Sequence, residues 1–203
     1  MPANKSIELN WVRLGIGLGI ATSVVYPSLI LLSLPQLPTI ILAAAIGPLL
    51  GLASMGLYHF LRLHQPSVSA QLAAACNFLG GALFSTMLLV QIAVRIRAAG
   101  QPIDRQIVAI WLGLDVAWDV YIALGTALFA WAMWTHPRFG RGFAVSGLLL
   151  AILLLAFNFY AFPEPPSDVH LVDLGPLVGL WYLVVTLQMW RSLGWVKQGL
   201  AVS

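Results

Sequence analysis

Charge is what this chain has least of. Only 8% of its 203 residues are Asp, Glu, Lys or Arg, and 60% are hydrophobic. An average soluble domain carries about 25% charged residues. A soluble globule of this length has too little interior to hide so much apolar surface, which excludes a soluble enzyme or binding module. Lysine is scarcer still: Lys5 and Lys197 are the only two, and neither lies inside an apolar run, so a retinal Schiff base is excluded. The single cysteine, Cys76, excludes an intrachain disulfide and a two-cysteine redox relay, and reads as a small packing residue.

Other absences narrow the chemistry. There is no His-Glu-x-x-His, no Gly-x-Ser-x-Gly and no phosphate-loop lysine. No two of the four histidines fall at matched depth on two apolar runs, so haem is not expected. No third strong ligand accompanies the one Asp-x-x-x-Asp spacing, so no metal or other cofactor is expected. The formal net charge of +3 comes from scattered basic residues with no patch or stripe, which argues against nucleic acid as a partner.

What the chain does have is six apolar runs, at about 12–34, 39–62, 69–97, 106–134, 142–161 and 172–191. Each is long enough for a ~30 Å hydrocarbon core, which takes about 20 helical residues. The breaks at 34–38, 64–67, 98–102, 136–142 and 162–168 carry proline, glycine and polar residues. The pattern predicts an all-α fold: a polytopic transmembrane bundle of six helices, antiparallel between short loops, forming one integral membrane domain over 1–203. The first run is longer than a signal-peptide core and no Ala-x-Ala site follows it, so it is expected to be a retained span.

Orientation follows from the basic residues. Lys5, Arg13, Arg62, Arg138, Arg141, Arg191 and Lys197 fall on one side, and Arg95, Arg97 and Arg105 on the other. Both termini are therefore expected in the cytoplasm, in a bacterial-type inner membrane. The opposite side gathers Asp104, Glu164, Asp168 and Asp173 as an acidic rim. Trp11, Trp131, Trp134, Trp190 and Trp195 suit a cytoplasmic aromatic belt, while Trp111, Trp118 and Trp181 are candidates for an aromatic wall deeper in. Gly15, Gly17, Gly19, Gly80 and Gly81 could permit close helix approach. Residues 46–52 (IGPLLGL) echo residues 174–180 (LGPLVGL), which is either a trace of repeated hairpins or chance in a Gly- and Leu-rich chain. Pro48, well inside its run, is expected to kink it and to serve as a hinge.

The most informative feature is Asp115 and Asp119, near the centre of the fourth run. A carboxylate at that depth costs at least ~2.5 kcal/mol on insertion scales and is rarely kept without a use. The i, i+4 spacing puts both on one helical face. Two carboxylates about 6 Å apart in low dielectric resist ionising together, so the pair is expected to share one proton and one charge. At ~1.5 Å per residue, Asp119 falls near the midplane and Asp115 roughly 7 Å outward. Tyr26, Asn158 and Gln91 fall about 6, 9 and 12 Å outward on other runs, with Tyr182 near the midplane. These levels predict an outward-half polar cavity lined by Asp115, Asp119, Asn158, Tyr182, Tyr26 and Gln91, with Trp118 beside it. The competing expectation is that the aspartates bond Arg95 or backbone groups and merely fix helix packing.

Three functional classes follow. The first is a small transporter or channel-like carrier, proton- or cation-coupled, for a small cation or a small polar or aromatic molecule. Six spans are few for a whole carrier, which points to a homodimer or a partner membrane subunit beyond the lipid bilayer itself. The second is a non-transporting ligand sensor or accessory subunit. The third, disfavoured by the missing nucleophile, is an intramembrane enzyme using the carboxylates as acid and base.

Overall fold

A computed structural model describes residues 3–164 and 166–202, without the side chains of 3–5, 167, 168 and 199–202. Lys5 and Asp168, which entered the charge count above, thus have side chains outside the described residues. Among the described residues the chain is helical and has no strand. Six long helices follow one another: α1 Ala3–Leu31, α2 Gln36–Arg62, α3 Val68–Ala98, α4 Arg105–Met133, α5 Gly140–Ala161 and α6 Gly175–Arg191. A 3-10 turn, Pro166–Val169, precedes α6, and a last helix, α7 Leu193–Val202, follows it. The first five are long and apolar enough to cross a membrane, which gives the chain the character of a multi-pass membrane protein. α6 has 17 residues, shorter than the expected run at 172–191. Asp173 and Leu174 are used to start it rather than to extend it.

Local chemistry sets these boundaries. The Ser67 hydroxyl accepts a hydrogen bond from the Ala70 N–H and caps α3. Asp104 does the same for Gln106 at the start of α4, and Asp173 for Gly175 at the start of α6. Each satisfies a backbone donor that the first helical turn leaves free. α3 stops where Ala99 and Gly100 turn to positive φ, 48° and 85°.

Each helix packs on its neighbour in sequence, and α6 closes the ring against α1. The closest approaches depend on glycine. A Cβ on Gly15 would meet the backbone of Gly56, joining α1 to α2, and one on Gly47 would meet the backbone of Gly81, joining α2 to α3. Gly17 by contrast has open space around it, so it takes no part in packing. Pro48 lacks the N–H that would bond the Ala44 carbonyl. Ser85 of α3 supplies a substitute: its hydroxyl donates to the Ala44 oxygen at 3.4 Å and accepts the Gly47 N–H at 2.8 Å. A proline inside an apolar helix is tolerated when a neighbouring helix satisfies the freed backbone in this way.

The tightest core lies at the end of the bundle where α2, α4 and α6 finish. Phe60, Phe129, Met133, Val12 and Met189 are fully buried there in one cluster. Outside, Leu31, Ile152 and Trp131 stand 77%, 61% and 65% exposed. Such side chains suit lipid contact, and since lipid tails are as apolar as leucine, close packing rather than burial from water holds the helices together.

The same end carries the ion pairs. Glu8 of α1 bonds His59 at 2.7 Å and Arg62 at 3.1 Å. Trp11 stacks on the His59 ring at 5.1 Å. His136, in the α4–α5 loop, is buried against Phe60, Phe139, Trp195 and His64. Its Nδ1 accepts the Arg138 N–H at 3.2 Å. Burial holds its pKa down at about 4, helped by the charges of His64 and Arg138. Contacts from Trp11 of α1 and Trp195 of α7 bring both described ends of the chain to this end of the bundle.

Candidate functional site

The fourth helix carries the site. Asp119 is 7% exposed, and its Oδ1 has no hydrogen-bond partner. Asn158 of α5 lies beside it; this fully buried amide also donates to the Leu154 carbonyl one turn back, at 2.9 Å. Asp115, one turn earlier on α4 and half-buried, accepts a 3.0 Å hydrogen bond from Trp118 Nε1. Asp173, exposed just before α6, is within electrostatic reach of both. The Tyr26 hydroxyl of α1 is in turn within reach of Asp173, Asp119 and Asp115. Tyr26, Asp115, Asp119, Asn158 and Trp118 thus gather between the middle of the bundle and the end where α1 and α5 finish, with Asp173 as a sixth member.

No basic side chain among the described residues pairs with this group. Among the described residues the ion pairs are those of Glu8 at the opposite end. Arg95 is exposed and makes no contact with the aspartates, so the expected alternative of an Arg95–Asp115 pair is not what the fold adopts. Gln91 is half-buried on α3 and has no hydrogen bond to any member of the group. Trp181 also lies elsewhere: its Nε1 donates to Ser146 at 3.2 Å and to the Phe143 carbonyl at 3.3 Å, both near the start of α5. Of the three tryptophans expected as a wall, Trp118 alone bonds an aspartate.

Tyr182 belongs to a second polar group at the centre of the bundle. Its hydroxyl accepts from the Asn77 amide at 2.8 Å and lies 3.0 Å from Thr126 Oγ1. Asn77 also donates to Ser54 at 2.9 Å. Four helices, α2, α3, α4 and α6, are joined by these bonds. Asn77 Oδ1 is left without a partner, pressed so close to Gly125 that a Cβ there would collide with it. The sequence reading passed over Asn77. The signal was a lone amide inside an apolar helix, a residue type that bonds across helices in membranes.

A cavity of about 410 Å³ lies between α1, α2 and α6. Its wall is mostly apolar and includes Ile46, Leu50, Phe84 and Ile122. Tyr26, Trp118 and Tyr182 line it, whereas Asp115, Asp119, Asn158 and Gln91 do not. The expected polar cavity is therefore two adjoining things: an apolar chamber, and a carboxylate group behind Tyr26 and Trp118. The two echoed segments face each other across the chamber, Ile46 and Leu50 from α2 opposite Gly175 to Leu180 from α6. Among the described residues no cluster of His, Cys, Asp and Glu has a metal-binding arrangement.

Compared with family models, curated proteins and solved structures, the chain matches none.

Proposed function

We propose that this protein is a small membrane carrier that binds a monovalent cation, or exchanges a proton for one, at Asp119 and Asp115. One observation carries the reading: Asp119 is nine-tenths buried, its Oδ1 is unpartnered, and a second carboxylate one turn away has no basic partner either. A purely structural carboxylate would be expected to have its lone pairs satisfied. An acceptor held open in a low-dielectric site awaits a proton or a cation.

The reading takes α6 as a sixth crossing. Seventeen residues rise about 26 Å as a helix, close to the hydrocarbon thickness, and both described ends of the chain meet at one end of the bundle. With the basic residues inside, that end is cytoplasmic and the aspartates lie in the outer half of a bacterial-type inner membrane.

The test is cation–proton exchange in proteoliposomes with a trapped pH-sensitive dye. Sodium, potassium, ammonium and methylammonium are added outside in turn. At least one is expected to change the internal pH beyond the signal of empty vesicles, and the Asp115→Asn/Asp119→Asn variant is expected to abolish the change. Wild-type vesicles indistinguishable from empty ones for every cation would overturn the proposal.

A further inference from the structure

The chamber has a side window. α1 and α6 touch where Gly19 meets Thr186, and again where the Tyr26 hydroxyl comes within 3.7 Å of the place a Gly175 Cβ would occupy. Between these contacts residues of both helices line the chamber. Leu180 and Ile30, both of which line it, are 53% and 60% exposed on the outer face of the bundle. The opening thus faces the surroundings of the helices, which is lipid on the reading above. The chamber's own wall is apolar, so it suits hydrocarbon. At its outer end stand two aromatic rings, Tyr26 and Trp118, and behind them the unbalanced carboxylates.

Resting on the cation-binding reading, we infer that the ligand is a lipophilic amine that enters sideways from the bilayer. Its hydrocarbon part occupies the chamber between α1, α2 and α6, and its ammonium lies at the Tyr26–Trp118 end against Asp115 and Asp119. Three features select this chemistry. An apolar chamber open to lipid favours a molecule that already partitions there. Tyr and Trp faces attract a desolvated ammonium. Asp115 and Asp119, behind those rings and without an ion-pair partner among the described residues, supply a negative field that favours a cation at that end. A fatty acid would add negative charge beside the pair, and a neutral alcohol would leave the charge unbalanced.

The experiment measures the melting temperature of the protein in lipid nanodiscs during titration with decylamine, decanol and methylammonium. Decylamine is expected to raise it at concentrations at least tenfold below those at which methylammonium does, and decanol is expected not to raise it. Asp119→Asn should weaken the decylamine midpoint at least tenfold. So should Gly179→Leu, which fills the chamber from α6 at a position where a Cβ meets open space. Ser23→Leu plugs the α1 wall and serves if Gly179→Leu misfolds. Equal protection by decanol would overturn the inference, because the charge would not be read. Equal protection by methylammonium, undiminished by either plug, would also overturn it while leaving the cation site intact. No protection by decylamine would overturn the inference, while the cation reading would still stand or fall on the exchange of sodium and potassium in proteoliposomes.

Discussion

Asp119 trades its hydration for a position where one carboxylate oxygen has no donor. A residue kept for stability would not be left so, and this gives the first prediction. Asp119→Asn preserves the shape, removes the buried charge, and is expected to raise stability by about 1–2 kcal/mol while abolishing cation response. Reversible unfolding in mixed micelles measures it, and a loss above about 1 kcal/mol would assign Asp119 to packing. Tyr182 is the contrasting case. Its hydroxyl joins Asn77 and Thr126, so Tyr182→Phe should lower stability by about 0.5–1.5 kcal/mol, the usual range for such bonds between membrane helices, and leave any cation response in place. The sequence suggested that carboxylates, an amide and tyrosines lie at similar levels on different helices, because rise per residue fixes level along a helix. It did not reveal which of them meet, since depth leaves azimuth free. Tyr26 and Asn158 turn toward Asp119, Tyr182 turns toward Asn77, and Gln91 turns toward neither.

The positions of α2 to α6 were legible to within about three residues, because apolar length and Gly/Pro punctuation act locally, whereas α1 begins well before its expected start at 12 and α7 was not expected. Helix contacts were not, because a glycine signals the chance of close approach without naming its partner. Gly15 and Gly17 separate the two cases: a Cβ on Gly15 would strike Gly56, and one on Gly17 would strike nothing. Gly15→Ala is expected to destabilise the α1–α2 pair by about 1–3 kcal/mol, the usual cost of overpacking. Gly17→Ala should be neutral or stabilising by up to about 1 kcal/mol through helix propensity. Equal effects of the two would contradict the packing described. The α4–α5 loop adds a pH dependence. His136 stays neutral in the fold down to about pH 4, whereas an unfolded histidine takes up its proton near 6.5. As pH falls from about 6.5, the unfolded chain binds that proton first. The stabilisation present above 6.5 is therefore lost progressively until about pH 4, by at most on the order of 3 kcal/mol. The groups that set this are the burying rings of Phe60, Phe139 and Trp195, with His64 and Arg138 alongside. Melting temperatures from pH 7 to 4 should slope less steeply in His136→Gln than in wild type.

At the scale of the whole molecule, the two ends of the bundle divide the chemistry. One end holds the tight aromatic core, the Glu8 ion pairs and α7, where Arg138 donates to Ser192 at 3.1 Å and Gln188 to the Arg138 carbonyl at 2.6 Å. The other holds the carboxylates, and the chamber runs from beside them to Leu57, Val185 and Met189 of that core. α6 belongs to both, since Trp181, Val185 and Met189 pack in that core while Tyr182 lines the chamber. It also ties the orientation to the count of crossings. If α6 crosses, loops 99–104 and 162–174 share the outer side, and loop 63–67 shares the inner side with α7. Single cysteines at Gly100, Glu164, Gln65 and Gln198, placed in a Cys76→Ser background, test this in intact cells with a membrane-impermeant maleimide. Positions 100 and 164 are expected to label directly, and 65 and 198 only after lysis. Labelling of 198 together with 164 in intact cells would mean that α6 returns to the outer face without crossing. In that case the chamber between α1 and α6 would have to be redrawn, and the sideways route for an amine would lose its entrance.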